Sequence, residues 1–182
     1  MRIFLYKSLI FFGLITLVCI VGLVLPLSKK EKNSYYYAKV QKDSLLINTE
    51  SPRIIFVGGS NLSFGLNSNL IKDSLMLNPI NTGSTGSFGL EYMISESLKG
   101  IREGDIVVLA PEYSHFFGDF MYGGKELIHS LLISHYPDMF KLSTKQYLNI
   151  FKHIPEISFK RIKNSFNRTY KIDENEIYSV NS

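Results

Sequence analysis

Residues 53–65 read RIIFVGGSNLSFG and contain the segment that decides the fold. After Arg53, residues 54–57 form an uninterrupted apolar run, which is typical of a parallel strand buried on both faces. A glycine pair and Ser60 follow at once, and this combination ends a strand and favours a turn into a helix. The stretch therefore predicts a buried strand with Ser60 at its carboxyl end.

Two further strand-like runs follow, each with a turn signal behind it. NPIN at 78–81 precedes TGSTGSFG, and DIVVLA at 105–110 precedes PEYSHFFGD. Apolar residues recur at helical spacing after each run, so a strand–helix pair occurs three times. This alternation predicts an α/β domain in which right-handed crossovers form a parallel sheet covered by helices. Because an open sheet of this kind usually has about four to six strands, we expect the fold to be incomplete.

The most apolar segment lies near the amino terminus. Residues 8–27 carry no charge, and a helix of that length matches a hydrocarbon core of about 30 Å. A cleaved signal peptide has a shorter apolar run and a small-residue cleavage site, so the sequence favours an uncleaved anchor over a cleaved signal. Basic residues flank both ends and nearly cancel the positive-inside bias. We expect the amino terminus inside and the remaining chain on the periplasmic or extracytoplasmic side.

The net charge of +4 does not indicate nucleic-acid binding. Of the 20 basic and 16 acidic residues, five basic and one acidic precede residue 33, so the remaining fifteen of each sign cancel. Residues 141–171 carry eight basic residues against Glu156 alone, and this surface either touches an anionic membrane or a partner or is simply solvated. Cys19 is the only cysteine, and we predict no metal, no cofactor and no nucleic-acid partner.

These observations divide the chain into four parts. We predict an anchor, a stalk, an α/β domain and a flexible tail at 1–30, 31–52, 53–166 and 167–182. In the stalk we expect a helix from about Tyr35 to Leu46, with Tyr35–Tyr37 either at the membrane interface or packed on the domain. The domain ends in a helical stretch at 143–166, which we expect Pro155 to interrupt.

The three strand ends carry the candidate functional residues. Ligands bind beyond the carboxyl ends of the strands in an open parallel sheet, so the loops behind these strands are expected to converge. Ser60 then has two interpretations, a nucleophile that needs a base and oxyanion donors, or a turn residue or helix N-cap. Gly58 and Gly59 leave room for a substrate, and Gly83 or Gly86 offers a backbone N–H. The Walker A, dinucleotide-binding and α/β-hydrolase motifs are all incomplete.

Three blocks of the sequence resemble the SGNH, or GDSL-like, hydrolase superfamily, especially its membrane-anchored members in bacterial envelope-polysaccharide systems. The blocks are FVGGSNLSFGL, INTGSTGSFGLEYM and GDIVVLAPEY, within residues 53–120. The resemblance implies a flavodoxin-like, three-layer α/β/α domain with Ser60 as the nucleophile. It also implies an oxyanion-hole glycine in the second block, for which Gly86 is the best match and Gly83 the runner-up.

The chain departs from the SGNH pattern in two places. The third block has APEYSHF where the family has a G-x-N-D asparagine, and no D-x-x-H supplies the usual base. His115 is the only local candidate for a base, with Glu112 to orient it; the plain alternatives are a loop histidine and a cap. His129 and His135 are expected along a helix as surface or boundary residues, and His153 has no evident role. The chain thus resembles the amino-terminal portion of such an enzyme.

Two functions remain open at this point. The first is a membrane-tethered serine esterase or O-acyltransferase that acts on acyl groups of cell-envelope glycans. The second is a non-catalytic binding or assembly domain that keeps the fold but has lost the acid–base machinery. In either case, we expect contact with lipid through residues 8–27 and with an envelope polysaccharide or its acylation machinery.

Overall fold

The computed structural model describes residues 1–28, 31, 34–134 and 136–166, and it is mostly helical. Within these residues the α-helices are α1 Arg2–Val24, α2 Ala38–Asn48, α3 Ser60–Gly65, α4 Ser68–Leu75, α5 Leu90–Leu98, α6 Lys125–Ser134, α7 Thr144–Phe151 and α8 Ile154–Phe166. The strands are β1 Arg53–Gly58, β2 Asn78–Asn81 and β3 Ile106–Ala110. His135 and the predicted tail at 167–182 lie outside the described residues.

The three strands form one parallel sheet in the order β2–β1–β3. Ile55 at the centre of β1 pairs with Ile80 on one side and with Val107 on the other. Helices lie between successive strands, as parallel pairing requires. The α/β character and the parallel direction predicted from the sequence are therefore confirmed.

The core lies around the central strand. Every residue of β1 is buried, and Ile55 and Val57 belong to one continuous apolar cluster. Helices α5 to α8 contribute to the same cluster through Tyr92, Met93, Leu127, Ile128, Leu131, Ile150 and Ile157. Full burial of one aliphatic side chain contributes roughly 1.5–3 kcal/mol, so this cluster holds the sheet and the helices together.

Strand β3 differs from β1 because its apolar side chains are exposed. Ile106, Val107 and Leu109 are 50%, 44% and 48% exposed. Successive side chains of a strand point to opposite faces, so both faces of β3 are open. Parallel strands are normally covered on both faces. β3 therefore has the composition of an interior strand and the exposure of an edge.

The predicted stalk packs against the α/β domain. Leu46 of α2 lies in the core, and a 3₁₀ turn, Tyr35–Tyr37, precedes this helix. The Tyr35 ring stacks on Phe64 with centroids 5.5 Å apart, and Tyr36 stacks on Phe88 at 6.1 Å. Of the two positions expected for these tyrosines, the structure shows the one packed on the domain for Tyr35 and Tyr36, whereas Tyr37 is exposed.

The break between the last two helices occurs at residues 152–153 rather than at Pro155. Pro155 is the second residue of α8. A proline is tolerated in the first helical turn because the N–H that it lacks would have no intrahelical partner there. Pro155 thus starts a helix instead of interrupting one.

Arg53, at the start of β1, connects three separate segments. Its guanidinium is fully buried and forms a bidentate ion pair with Asp105, in which Nε lies 2.8 Å from Oδ1 and Nη2 contacts Oδ2. It also donates to the carbonyl oxygens of Leu46, at 2.6 Å, and Gly100, at 2.8 Å. The hydrogen bonds from Arg53 hold the pKa of Asp105 below its ordinary value. The ion pair therefore stabilises the fold at neutral pH and is lost as the pH falls through that lowered pKa.

We predict that Arg53→Met lowers the free energy of unfolding by about 3–5 kcal/mol, because it leaves Asp105 and two carbonyl oxygens without their buried partner. Urea unfolding of the full chain in detergent, followed by circular dichroism, measures this loss. Lys72→Met, at an exposed position of α4, is the matched control and should change stability little. Equal stability of the two variants would contradict the role given to Arg53.

Lys42 of α2 is a buried cation whose polar contacts are neutral. Its Nζ donates to Ser63 Oγ at 3.1 Å and to the carbonyl oxygen of Gly83. Tyr35 lies on the other side of the same hydroxyl, with its oxygen 2.8 Å from Ser63 Oγ. Burial lowers the pKa of Lys42 from 10.5 to about 8. These contacts fasten α2 to α3 and to the loop after β2.

The lowered pKa of Lys42 predicts a specific pH dependence. Below pH 8 both the folded and the unfolded chain carry the charge, so folding bears the full cost of burying it. Between about pH 8 and 10.5 the folded chain loses this proton first, and stability gains up to about 3 kcal/mol. Lys42→Met should remove this gain, as urea unfolding of both proteins across the pH range will test. Parallel stability profiles for the two proteins would show that Lys42 titrates normally.

Candidate functional site

The loops behind the three strands meet at the carboxyl edge of the sheet. The Ser84 N–H donates to the carbonyl oxygen of Gly58 at 3.1 Å, which connects the first two loops. The end of β3 and the loop behind it come close to the glycine pair, since a Cβ added to Gly58 would lie 2.2 Å from the carbonyl oxygen of Ala110, the last residue of β3. A Cβ on Gly59 would lie 2.0 Å from Glu112 Oε1. The glycine pair is therefore needed because the third loop packs directly on the end of β1.

Ser60 is the first residue of α3, and its side chain faces the third loop. Its Oγ lies 3.0 Å from Glu112 Oε1 and donates a hydrogen bond to it. Its backbone N–H donates to the same oxygen at 2.7 Å. Gly59 is the N-cap of α3, with no side-chain cap. The serine hydroxyl is therefore not used to cap the helix and is paired with a carboxylate instead.

Glu112 is the central group of the candidate site. It precedes the 3₁₀ turn Tyr113–Phe116 and forms a capping box with His115, in which each side chain accepts the backbone N–H of the other residue. Its carboxylate also abuts the second loop, since a Cβ on Gly86 would lie 2.6 Å from Oε2. Ser60, Gly86 and Glu112, three of the predicted site residues, are thus brought together.

His115 lies behind Glu112 and is completely buried. Its Nδ1 accepts the Glu112 N–H at 3.0 Å, which assigns the ring proton to Nε2. Nε2 then donates to the carbonyl oxygen of Gly86 at 2.9 Å. The ring also contacts Phe120, with centroids 5.3 Å apart. In this geometry His115 joins the second and third loops, and Glu112 is the group that contacts the Ser60 hydroxyl.

Asn81, at the end of β2, is a site residue that the sequence reasoning missed. Its Oδ1 accepts the Gly83 N–H at 2.9 Å, and its Nδ2 donates to the carbonyl oxygen of Leu62 at 2.9 Å. Because the Gly83 N–H is committed to Asn81, Gly86 is the better candidate for an oxyanion donor. An asparagine two residues before a glycine is an Asx-turn signal and would have identified this contact.

The remaining histidines lie outside the three loops. His129 of α6 stacks on Tyr36 with centroids 5.5 Å apart, and burial lowers the pKa of its imidazole. His153 lies half-buried between α7 and α8. Among the described residues, no group of three His, Cys, Asp or Glu side chains could hold a metal ion.

The geometry supports acyl-transfer chemistry in one respect and opposes it in another. Glu112 supplies a proton acceptor in contact with the Ser60 hydroxyl. The same carboxylate holds the Ser60 N–H and lies against Gly86, where the oxyanion of a tetrahedral intermediate would need donors. If Ser60 acted as a nucleophile, the Glu112 side chain would therefore stand where an oxyanion would need these donors, and a reacting acyl group would have to displace it.

In comparisons with known proteins, no family model, no curated protein and no solved structure matches this chain. The likeness to the SGNH superfamily therefore rests on the three sequence blocks alone. Functional conclusions depend on the geometry around Ser60 and Glu112.

Proposed function

We propose that this chain is a membrane-anchored, SGNH-like serine esterase or O-acyltransferase that acts on acyl groups of cell-envelope glycans. The observation that carries the proposal is the 3.0 Å contact between Ser60 Oγ and Glu112 Oε1 at the end of the central strand. Gly86 borders the same carboxylate from the neighbouring loop. A hydroxyl and a proton acceptor in contact are two of the parts that acyl transfer requires, and the neighbouring glycine loop is where the donors for the oxyanion would have to lie.

In the proposed reaction, Ser60 Oγ attacks the carbonyl carbon of an acyl ester and passes its proton to Glu112. The oxyanion takes up the Ser60 N–H, which Glu112 releases because one donor cannot serve both groups. Glu112 then gives the proton to the departing glycan oxygen, and the acyl group stays on Ser60. Water removes the acyl group in an esterase, and a second glycan hydroxyl removes it in a transferase. His115 keeps the Glu112 turn in position.

The proposed membrane anchor is α1, the one helix of the described residues that is long and apolar enough to cross a membrane. The most apolar 18-residue window of this helix has a mean hydropathy of 2.4, and only 6% of that window is buried. A helix of 23 residues is about 34 Å long, against a hydrocarbon core of about 30 Å. In this proposal the amino terminus lies inside and the flavodoxin-like domain lies on the extracytoplasmic side.

A second candidate is a non-catalytic domain that binds a glycan or an assembly partner. It is favoured by one observation: within the described residues, both ring nitrogens of His115 are used in structural hydrogen bonds, and Ser60 has a carboxylate in place of an imidazole. A carboxylate removes a serine proton less readily than an imidazole does at neutral pH. In this candidate, Glu112 is a permanent occupant of the anion position.

We predict that a fluorophosphonate probe labels Ser60 in the full chain and that the chain hydrolyses a simple acetyl ester. Ser60→Ala should abolish both activities. Ser74→Ala, at an exposed position of α4, is the control and should retain them. Intact-mass spectrometry and ester hydrolysis provide the two measurements. A folded chain that shows neither activity would rule out the enzyme and leave the binding domain.

We predict that Glu112→Gln lowers the rate of probe labelling by 10²–10⁴-fold, because it removes the group that accepts the serine proton. Glutamine keeps an oxygen that can accept the Ser60 N–H, so the unfolding temperature should change little. Labelling rates measured at saturating probe, beside a thermal unfolding curve, provide the comparison. An unchanged or higher rate would show that Glu112 is not the proton acceptor.

A further inference from the structure

The last turns of α1 pack closely against α8. Ser158 Oγ donates to the carbonyl oxygen of Cys19 at 2.9 Å, and Arg161 Nε donates to that of Gly22 at 2.8 Å. A Cβ added to Gly22 would lie only 2.5 Å from Ser158 Cα, so the two backbones touch. Arg161 is itself buried and also forms an ion pair with Glu31. The contact therefore consists of tight backbone packing and directed hydrogen bonds.

The two helices run in the same direction. Residues three apart in α8, Ser158 and Arg161, contact residues three apart in α1, and the later residue contacts the later one. Ile154, the first residue of α8, precedes Ser158 by one turn and is therefore level with positions 15–18 of α1. The turn at 152–153 comes before α8 and lies nearer still to the amino end of α1.

Too little of α1 is clear of α8 for the docked chain to cross a membrane. The uncharged part of α1, residues 8–24, is about 25 Å long, so a hydrocarbon core of about 30 Å needs all of it. The turns that precede the contact with α8, residues 8–17 at most, supply about 15 Å. If α1 crossed the membrane with α8 still docked, α8 would share about half of the hydrocarbon core with it.

The residues that would enter the hydrocarbon with α8 are charged. Glu156, in the first turn of α8, forms an ion pair with Lys125 of α6, and the Glu156 side chain is 58% exposed. Lys152, in the turn before α8, and Lys160 are exposed as well. Hydrocarbon offers such groups no hydrogen-bond partner, and charged side chains within a membrane are costly. Spanning by α1 and docking on α8 therefore exclude each other.

We propose that α8 holds α1 only while the chain is outside the membrane, and that insertion of α1 detaches it from Ser158 and Arg161. This inference rests on the proposed anchor. Residues 9–17 of α1 are all exposed in the docked structure, so this part of the helix can meet a bilayer before the contact breaks. The α1–α8 contact thus competes with membrane insertion.

A matched pair of variants tests this competition. Gly22→Ala places a methyl group against the Ser158 backbone, whereas Gly13→Ala, in the same helix, places it in open space. Both changes raise the helix propensity and the apolarity of α1. Each full chain is synthesised without membranes and mixed with vesicles of phosphatidylcholine and phosphatidylglycerol. The rate at which the chain becomes resistant to alkaline carbonate extraction is then measured.

Spin labels show whether the inserted chain is still docked. Ile20→Cys and Phe159→Cys, at exposed positions beside the contact, carry nitroxides in a Cys19→Ser background. Met76→Cys with Phe159→Cys is the control pair within the domain, since Met76 is 81% exposed at the end of α4. A single label at Leu14→Cys reports the depth of α1 in the bilayer.

We expect Gly22→Ala to insert at least about fivefold faster than Gly13→Ala, because a methyl group forced into a packed contact weakens the docked state. Packed helices lie 8–10 Å apart, so the labels at 20 and 159 lie within about 20 Å of each other when α1 is docked. In the carbonate-resistant chain this distance should lengthen and broaden, while the distance between 76 and 159 stays unchanged.

Equal insertion rates, or a 20–159 distance that stays short while the label at 14 lies in hydrocarbon, would overturn the inference and leave the anchor intact. A changed 76–159 distance would also overturn it, because the domain itself would then rearrange. A chain that never resists carbonate and keeps the label at 14 in water would overturn the anchor and this inference with it.

Discussion

The guanidinium of Arg53 is the contact on which the candidate site depends. It joins the first residue of β1 to Asp105, which directly precedes β3, and to the end of α2 through the carbonyl oxygen of Leu46. The two strands consequently start level with each other, and β1 and β3 stay paired up to Gly58 and Ala110. Because the pairing ends there, Glu112 arrives beside Ser60 two residues later. The Arg53 ion pair at one end of the sheet thus sets the strand register that places Glu112 beside Ser60 at the other end.

Much of the fold could be predicted because its signals are local. The apolar run of β1, the glycine pair and the helical periodicity between strands all act over a few residues, and they indicated the parallel sheet. The order β2–β1–β3 brings together Ser60 and Glu112, which lie 52 residues apart, and the expected convergence of the loops follows from the same order. Sequence spacing did not reveal that Glu112 contacts the hydroxyl and that His115 turns toward Gly86.

Other features depend on tertiary contacts, and the sequence could not specify them. The region before Pro52 has the polar composition of a stalk, yet two residues of α2 are buried. Lys42 donates hydrogen bonds to Ser63 and Gly83, and Leu46 packs in the apolar core. A lysine among polar residues carries no local signal that it will be desolvated. The docking of α8 on α1 is equally hidden, because it joins residues 139 positions apart through backbone carbonyls that every residue possesses.

The open side of β3 has a consequence for how this protein behaves in solution. Among the described residues β3 pairs with β1 on one side only, and a strand with such an open edge and with valine, leucine and isoleucine on both faces is a template for an extended segment that meets it. Pairing between the β3 edges of different molecules therefore increases with protein concentration, because the edges meet more often. Dilution, or confinement to a surface where neighbours are sparse, keeps the same strand monomeric.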